Sequence, residues 1–474
     1  MKLNKNHILV LIFLLVLAFS LYVNFGFNCF SDAKSYFNIR LIENVKDTGM
    51  PLLFDPLSYS GVNIVVPQLF HYLIALFSFI PFYLKIFPVI ISSFIVFVVY
   101  LISKEITKNE VASLLTALLS GFIPIYFTKT MNTVSVYSLM IPFMFLLFYF
   151  LIRIEKKKYL RLFLLFSFLL PLIGASSFLF IFSLVFYVIL SISEGIKIDK
   201  LKKEAILFSF FVILLMNLIL FKKAFFVHGF NVVFGNVPHD ILLNYFNSFN
   251  VFSSIYLIGV LSFFFGIVGV YFGVKERKDS VTLLISLILS TLLLLFLKLI
   301  NLNTGLLFLA VGLTIISSLT ISNFFVYLSK TKLNRFKTYF VILFILLIFV
   351  FSVLPSFYSL EDCRDLNDFY WIKNNLEGDA VILAPLEYGH YITEISERRN
   401  VIDSNFLLVK DIDDRFNSIN IIYNTWSETK ALELLHEYDV DYIYVDDKNK
   451  YNLIYLEDEN CFKEIKEKIY EVAC

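Results

Sequence analysis

Asp32 is the residue of this sequence whose type and position best suit a catalytic or cation-binding role. It lies a few residues beyond the first apolar run of the chain. A carboxylate just above a bilayer can deprotonate a hydroxyl or amide, or bind a divalent cation that neutralises a phosphate leaving group. The same carboxylate could instead cap a helix that runs to Lys46. The sequence leaves both the catalytic and the capping interpretation of Asp32 open.

Two cations are candidates for substrate binding near such a carboxylate. Arg40 or Lys129 could stabilise negative charge that develops on a departing phosphate. Arg40 could alternatively pair with Glu43, three residues further along one helix face. Lys129 could extend from a span end towards water, as lysines in membrane helices commonly do.

Loop residues offer further ligands. Asp55, which precedes Pro56, is a turn former or a substrate ligand. His228 and His239 fall in a later loop and could join Asp32 in a metal site, because imidazole and carboxylate are common metal ligands. The alternative for both histidines is a solvated loop position.

Composition indicates the elements that must hold these residues. The chain has 474 residues, of which 58% are hydrophobic and 17% charged, whereas soluble proteins are roughly 45–50% apolar and about 25% charged. The net charge of +1 gives no basic surface for nucleic acid.

Apolar runs of the length that a membrane helix needs predict eleven transmembrane helices. The run at 68–82 is shorter and predicts an interfacial or re-entrant helix. The eleven runs are 8–24, 86–103, 111–128, 135–152, 159–173, 176–194, 204–222, 254–274, 280–299, 304–328 and 338–355.

Charge predicts the sidedness of these helices. With the N-terminus inside, the cytoplasmic segments carry 20 Lys and Arg and the external segments of the membrane region carry 8, as the positive-inside rule requires. We therefore predict a multi-pass cell-membrane protein whose partner is the lipid bilayer. Residues 1–357 form the membrane domain, with external loops 25–85 and 223–253. Residues 358–474 form a soluble extracytoplasmic domain.

The C-terminal region has the pattern of an α/β domain. Its 12 Lys and Arg against 26 Asp and Glu separate it from the positively charged remainder. Apolar spacing predicts a helix around Phe369, strands at 380–384 and 442–445, and an amphipathic helix over 462–472. Thr425 and Glu428 have the spacing of a capping box before a further helix. Alternating helices and strands imply a layered α/β structure.

All four cysteines fall on the predicted outer side, where disulfides persist. Four cysteines allow three complete pairings, and their spacing does not resemble a zinc knuckle. Cys29, Cys363, Cys461 and Cys474 are therefore either disulfide-bonded or free thiols on the sequence alone.

Missing motifs narrow the function. The predicted spans have no charged residue near their centres, and their polar exceptions are Asn217 and Asn323. Ion-coupled transporters usually need carboxylates or histidines within the membrane. A Gly-rich phosphate-binding loop followed by Lys is also missing. These observations count against a flippase or exporter and direct attention to the external membrane surface.

Three parts of the sequence resemble oligosaccharyltransferase catalytic subunits, especially the archaeal AglB type. Residues 31–44, followed by Gly49-Met50-Pro51 and Asp55-Pro56, are similar to the first external loop of that family. The segments Pro67-Gln68-Leu69-Phe70-His71-Tyr72-Leu73 and Phe87-Pro88 resemble its next segment, and Trp371-Ile372-Lys373-Asn374-Asn375, Asp379-Ala380, Glu387-Tyr388-Gly389, Tyr391-Ile392 and Arg398 resemble the start of its soluble domain. The resemblance implies a GT-C fold and a polyprenyl-phosphate-linked sugar donor used on the extracytoplasmic side. It further implies Asp32 as the first-loop carboxylate, a divalent cation such as Mn or Mg, and Glu387 and Tyr388 as substrate-binding residues.

The sequence also departs from that family. The region that matches the family's paired acidic metal motif, residues 130–138, contains no carboxylate. The family's Trp-Trp-Asp-Tyr-Gly motif becomes Pro385-Leu386-Glu387-Tyr388-Gly389, and residues 223–253 lack the glutamate that the family has in its fifth external loop. These departures put metal binding and recognition of an Asn-x-Ser/Thr peptide in question, while the first-loop carboxylate is retained.

Two functions from different classes therefore compete. The first is a membrane glycosyltransferase that moves a sugar or oligosaccharide from a polyprenyl-phosphate donor to a protein or surface-glycan acceptor. The alternative is a non-catalytic relative with the same fold that acts as a lipid-binding or assembly partner. Substitution of Asp32 by Asn separates them, because only an enzyme needs the carboxylate.

Overall fold

The computed structural model describes residues 5–229, 232, 237–244, 249–360, 365–446 and 453–474. The chain divides into two compact units. The first unit, residues 1–28, 67–219 and 245–362, is helical. The second unit combines residues 29–66 and 220–244 with residues 363–474, so the larger part of each loop that the sequence predicts to be external is grouped with the C-terminal part of the chain.

Most of the described helices of the first unit follow the apolar runs of the sequence. In chain order, the α-helices are α1 Lys5–Phe25, α2 Ala33–Thr48, α3 Leu69–Ala75, α4 Tyr83–Ser93, α5 Ile95–Thr107, α6 Glu110–Ser120, α7 Pro124–Thr130, α8 Tyr137–Ile152, α9 Lys157–Leu169, α10 Ser177–Ser193, α11 Lys200–Leu220, α12 Lys222–His228, α13 His239–Asn244, α14 Val251–Ile258, α15 Val260–Glu276, α16 Asp279–Phe296, α17 Leu302–Ser329, α18 Lys337–Ile348, α19 Leu354–Tyr358, α20 Asn367–Asn375, α21 Gly389–Tyr391, α22 Ile412–Asn424 and α23 Glu428–Glu437. Every run predicted to span the membrane contains one or two of these helices.

The number of spans differs from the prediction. Among the described residues, six helical segments are long and apolar enough to cross a membrane, with Tyr83–Thr107 (α4 and α5) and Lys332–Tyr358 (which contains α18 and α19) each counted as one, and up to eight if each of two bent pairs is one span. The bent pairs are α6 with α7, which bend by 49°, and α14 with α15, which bend by 88°. Helices α8 and α10 are apolar but have only 16 and 17 residues, below the roughly 20 that a bilayer usually requires. The count of eleven is therefore not confirmed. Helix α3, with seven residues, is too short to cross a bilayer, as the sequence predicts for residues 68–82.

Small residues allow the helices of the first unit to pack closely. A Cβ added to Gly269 in α15 would lie 2.4 Å from the backbone oxygen of Ile316 in α17, and one added to Gly266 would lie 2.8 Å from Cβ of Leu313. Close approach through small residues is typical of helix pairs in membranes, where van der Waals packing replaces the hydrophobic effect. Helices α15 and α17 therefore depend on glycine for their contact.

The second unit contains a five-stranded mixed sheet. The strands of the chain are β1 Phe54–Asp55, β2 Val62–Asn63, β3 Val381–Leu383, β4 Arg399–Asn400, β5 Tyr442–Tyr444, β6 Phe462–Lys466 and β7 Ile469–Val472. The sheet order is β4-β3-β5-β7-β6, in which β3 pairs in parallel with β4 and β5 while β7 runs antiparallel to β5 and β6. The predicted helix around Phe369 and both predicted strands are confirmed.

Two local predictions for this unit are wrong. Residues 462–472 form the β6–β7 hairpin instead of an amphipathic helix. The hairpin extends the sheet because β7 pairs with the edge of β5, and this pairing buries Phe462 and Ile469. A disulfide between Cys461 and Cys474 joins the ends of the hairpin. The cap of α23 is Ser427, whose side chain accepts from the backbone N of Lys430, whereas Thr425 follows the end of α22.

Candidate functional site

Asp32 begins α2. Its Oδ1 accepts a hydrogen bond from the backbone N of Lys34 at 2.9 Å, which satisfies one of the free N–H groups at a helix start. Gly49 ends the helix in the left-handed conformation, with φ of 72° and a backbone bond to Val45. The predicted capping role is therefore present, and the half-buried carboxylate still has an oxygen to offer to another group.

Arg40 and Asp55, two of the predicted substrate-binding residues, bind each other. Arg40 Nη2 lies 2.5 Å from Asp55 Oδ1, and Arg40 Nη1 donates to the carbonyl oxygen of Thr393 at 2.6 Å. Asp55 is 1% exposed and also accepts from the backbone N of Leu57 and of Ser58. Within the described residues the ion-pair partner of Arg40 is thus Asp55 and not Glu43. This ion pair links α2 to the segment around Asp55, which follows the helix in the chain.

Glu394 lies close to this pair in a partly buried position. Burial, together with the negative charge of Glu43, raises the pKa of the Glu394 carboxyl to about 8, although Arg40 acts in the opposite direction. The carboxyl is therefore largely protonated at neutral pH and can donate a hydrogen bond. Residues 392–396 form a π-helical turn, a rare geometry that frequently accompanies functional sites.

A second buried network is centred on His390 and Asp403. The Nε2 atom of His390 is hydrogen-bonded to Ser404 Oγ at 2.9 Å, while Nδ1 lies 3.8 Å from Asp403 Oδ2. Asp403 Oδ2 accepts from Ser58 Oγ at 2.6 Å and from Asn400 Nδ2 at 3.0 Å. Burial lowers the pKa of the His390 imidazole, against the influence of Asp403. The histidine is consequently neutral at physiological pH.

The retained glycine of the Glu387-Tyr388-Gly389 motif has a packing role in this network. A Cβ at position 389 would lie 2.2 Å from the carbonyl oxygen of Ile402 and 2.6 Å from Cβ of Asp403. Asn400 Nδ2 also donates to the carbonyl oxygen of Gly389 at 3.0 Å. Only glycine allows the motif to approach the chain at 402–403 so closely.

The other two residues of the motif lie on a 3₁₀ turn over Leu386–Tyr388. Glu387 is exposed. Tyr388 is half-buried, and its ring centroid lies 5.2 Å from that of Tyr444 and 6.0 Å from that of Phe369. An exposed carboxylate beside an aromatic surface can contact a polar acceptor, so the predicted binding role of Glu387 and Tyr388 stays a prediction.

The remaining predicted residues have separate surroundings. His228 donates through Nε2 to the carbonyl oxygen of Leu407 at 2.9 Å, which leaves Nδ1 as its ligating atom. His239 is exposed at the start of α13, where its backbone N donates to Asp413 Oδ1. Lys129 lies half-buried in the last turn of α7, within the first unit.

A metal centre built on Asp32 has no support from the described residues. In that part of the chain, one set of three residues of ligand type, Glu428, Asp458 and Cys461, has its possible ligand atoms within 4.8 Å of one another. Cys461 is disulfide-bonded to Cys474, and a disulfide sulfur is not the thiolate that binds metals. Asp32, His228 and His239 belong to no such group, and we derive no step through a metal.

Comparison with solved structures identifies the class of protein that has this fold. The chain is similar to the oligosaccharyltransferase of Archaeoglobus fulgidus in its apo form, with 14% identity, 94% of this chain and 70% of that chain covered, and a TM-score of 0.72. The archaeal oligosaccharyltransferase AglB from Archaeoglobus fulgidus, in complex with an inhibitory peptide and a dolichol-phosphate, matches with 14% identity, 93% and 69% coverage and a TM-score of 0.70. The Archaeoglobus fulgidus oligosaccharyltransferase in complex with Zn and sulfate matches with 15% identity, 91% and 67% coverage and a TM-score of 0.69. No protein-family model matches the chain, and no curated protein matches it in sequence.

These similarities establish the fold and confirm the resemblance expected from the sequence. The chain has the fold of the archaeal oligosaccharyltransferase AglB and is distantly similar to it in structure. Its apolar helices and this fold indicate a multi-pass membrane protein.

Sequence reasoning missed the buried network around His390 and the raised pKa of Glu394. Ser58 and Asp403 are 345 residues apart, so no local spacing could have indicated their contact. The one available signal was Gly389, since a glycine kept inside a motif often marks a close approach of the backbone.

Proposed function

We propose that this protein is a membrane glycosyltransferase that transfers a sugar or oligosaccharide from a polyprenyl-phosphate-linked donor to a protein or surface-glycan acceptor on the extracytoplasmic side. The observation that carries the proposal is the match of nearly the whole chain to AglB at a TM-score of 0.72. The presence of dolichol-phosphate and an inhibitory peptide in one AglB structure supports the donor and acceptor classes. Asp32 at the head of α2 is the carboxylate that we assign to catalysis.

The chemistry needs positioning and charge neutralisation at the reacting atoms. A carboxylate at Asp32 would orient or deprotonate the acceptor nucleophile. The protonated carboxyl of Glu394 would donate to an oxygen of the substrate rather than repel its phosphate. Arg40, by contrast, is engaged with Asp55 and Thr393, so we assign it to positioning of α2. Glu387 and Tyr388 are the residues that we propose for acceptor contact, and Lys129 remains a candidate for donor phosphate binding.

Asp32 can be tested with two substitutions that separate capping from chemistry. Asparagine caps helices about as well as aspartate, whereas alanine does not. An enzyme should therefore lose transfer with both Asp32→Asn and Asp32→Ala, while a capping role alone should tolerate Asp32→Asn. Mass spectrometry of surface glycoproteins and of lipid-linked sugars, in a deletion strain complemented with each variant, measures both outcomes.

The expected result is an absent or shortened glycan in the deletion, Asp32→Asn and Asp32→Ala strains, with unused lipid-linked donor accumulating. Asp47→Asn, an exposed substitution in the last turn of the same helix, serves as the matched control and should leave glycans unchanged. Unaltered glycans in the deletion strain would reject the proposal.

A non-catalytic role is the second candidate, and the capping role of Asp32 is the observation that favours it. Asp32 caps its helix and belongs to no three-ligand metal group among the described residues. If the protein is a lipid-binding or assembly partner, the deletion strain should have a glycan defect, and complementation with either Asp32→Asn or Asp47→Asn should correct it. The same set of strains therefore distinguishes the two candidates.

A further inference from the structure

A large cavity opens within the first unit, at the end where α1 begins. It has a volume of about 1270 Å³ and is bounded by α1, α5, α6, α8 and α17. This exceeds the roughly 300–1,000 Å³ of typical small-molecule sites. It uses no residue assigned above to the proposed transfer reaction.

Charged side chains from three helix ends meet around the cavity. Lys104 and Lys108 end the α5 segment, Glu110 begins α6, and Arg153 follows α8. Glu105 lies 2.5 Å from Lys108 and 3.2 Å from Arg153, and Glu110 lies 3.4 Å from Lys104. Three cations thus face two carboxylates, and one positive charge is left without a compensating carboxylate.

Arg153 supplies a second indication of a ligand. Its Nε is buried and has no hydrogen-bond partner among the residues that the structure describes. Its guanidinium lies over the ring of Tyr159, with 5.7 Å between the guanidinium carbon and the ring centroid, so the group is held in place. A buried donor without a partner costs free energy, and an acceptor from a ligand would satisfy it.

Part of the remaining wall is apolar. Leu101, Leu114 and Val326 line the cavity beside the charged groups. A ligand that fits this surface has an anionic oxygen group at one end and a hydrocarbon portion at the other. Lys108 extends towards water, with 70% of its side chain exposed, whereas Arg153 is 32% exposed and faces the cavity with its unpartnered Nε.

We propose that this cavity binds the phosphodiester head group of an anionic membrane lipid. One phosphodiester carries a single negative charge, which matches the one uncompensated positive charge of the cavity. Basic pockets between membrane helices recognise anionic lipid head groups in this way. The apolar wall accommodates the first part of an acyl or isoprenoid chain. The binding would anchor the end of the bundle that the sequence predicts to be cytoplasmic.

Native mass spectrometry of the full-length protein, purified in detergent and depleted of lipid, tests the proposal. Titration with phosphatidylglycerol and with zwitterionic phosphatidylcholine gives a dissociation constant for each lipid. We expect phosphatidylglycerol to bind at least fivefold more tightly, and Arg153→Gln or Lys104→Gln each to weaken its binding about fivefold. Glu110→Gln, which adds net positive charge to the cavity, should strengthen it.

Lys275→Gln is the matched control, because Lys275 is an exposed cation in the last turn of α15 and does not line the cavity. It should leave the dissociation constant unchanged. Glycerol 3-phosphate in the titration distinguishes a lipid site from a site for soluble phosphate. Equal affinity for the two lipids, an equal effect of Lys275→Gln, or displacement of the lipid by glycerol 3-phosphate at comparable concentration would each overturn the proposal. Glu110→Gln is expected to bind phosphatidylglycerol more tightly, so this variant tests the proposal even if Arg153→Gln fails to fold.

Discussion

The two units satisfy their buried polar groups in different ways. In the first unit, many buried hydroxyls donate to the backbone of their own helix, as Thr116 Oγ1 does to Ala112 and Ser286 Oγ does to Leu283, and fewer join two helices, as Ser167 does with Ser209. In the second unit, buried charges bind partners from other segments of the chain, as in the Arg40–Asp55 pair and the contact of Ser58 with Asp403. Each helix of the first unit is therefore largely self-sufficient, as segments in a bilayer must be. The second unit depends on a few contacts between distant segments, so single substitutions there should cost more.

The largest effect is expected from Asp55→Ala, which leaves the Arg40 guanidinium buried without its carboxylate. Breaking a buried ion pair in this way costs roughly 3–5 kcal/mol. Both tryptophans of the chain, Trp371 and Trp426, lie in the second unit, so tryptophan fluorescence during thermal unfolding of the full-length protein reports on that unit. Asp47→Ala, at an exposed position of α2, is the control. Equal midpoints for the two variants would show that the pair does not hold the second unit together.

Gly389→Ala should destabilise the same unit somewhat less, by about 2–3 kcal/mol, because the new Cβ would collide with the carbonyl oxygen of Ile402. Gly378→Ala provides the comparison, since a Cβ there meets no atom within 4 Å. The same fluorescence measurement should separate the two alanine variants. A Gly389→Ala protein as stable as Gly378→Ala would contradict the close packing at Ile402.

Glu394 makes the stability of the second unit depend on pH. The pKa of its carboxyl is about 8 in the folded state and 4.5 ordinarily. Between pH 4.5 and about pH 8, the folded state therefore keeps a proton that the unfolded chain has lost. The stabilising contribution is complete below about pH 4.5 and is lost as pH rises through about 8. Glu394→Gln should flatten this dependence and stabilise the unit by about 1–2 kcal/mol at pH 9, after allowance for solvent screening.

Unfolding midpoints at pH 6 and pH 9 check this expectation, with Glu459→Gln as an exposed carboxylate control. The control should keep the pH dependence of the unsubstituted protein. If Glu394→Gln also kept it, the carboxyl at 394 would not be the titrating group.

The smallest effect is expected in the first unit, from Asn217→Leu. Asn217 is buried in α11 and donates to Ser177 Oγ of α10 at 2.9 Å. Hydrogen bonds between membrane helices contribute only about 0.6 kcal/mol on average, because the helices can find other partners. Far-UV circular dichroism, which follows the helices, should show a slightly lowered midpoint, and a double-mutant cycle with Ser177→Ala isolates the bond. A loss as large as that of Asp55→Ala would remove the difference between the units.

The sequence alone determined the features that depend on local composition. Apolar runs predicted where helices occur in the first unit, and the spacing around Phe369 and the short apolar run at 380–384 predicted a helix and a strand of the second. The resemblance carried by residues 31–44 and 387–389 predicted the fold that the comparison with AglB supports. These inferences succeed because helix formation in an apolar run, and alternation in a strand, are decided within a few residues.

The tertiary structure alone decided which charged groups meet. Arg40 has a local candidate partner in Glu43, yet it binds Asp55 and the carbonyl oxygen of Thr393. The tertiary structure removes its guanidinium from water and places these acceptors beside it, and a buried charge must be paired and hydrogen-bonded. The β6–β7 hairpin formed where apolar spacing had indicated a helix, since β5 offered it a partner edge. The contact of Ser58 with Asp403 and the raised pKa of Glu394 arise from segments that are remote in sequence. Such contacts depend on where the backbone places distant side chains, and that information is not contained in any local pattern.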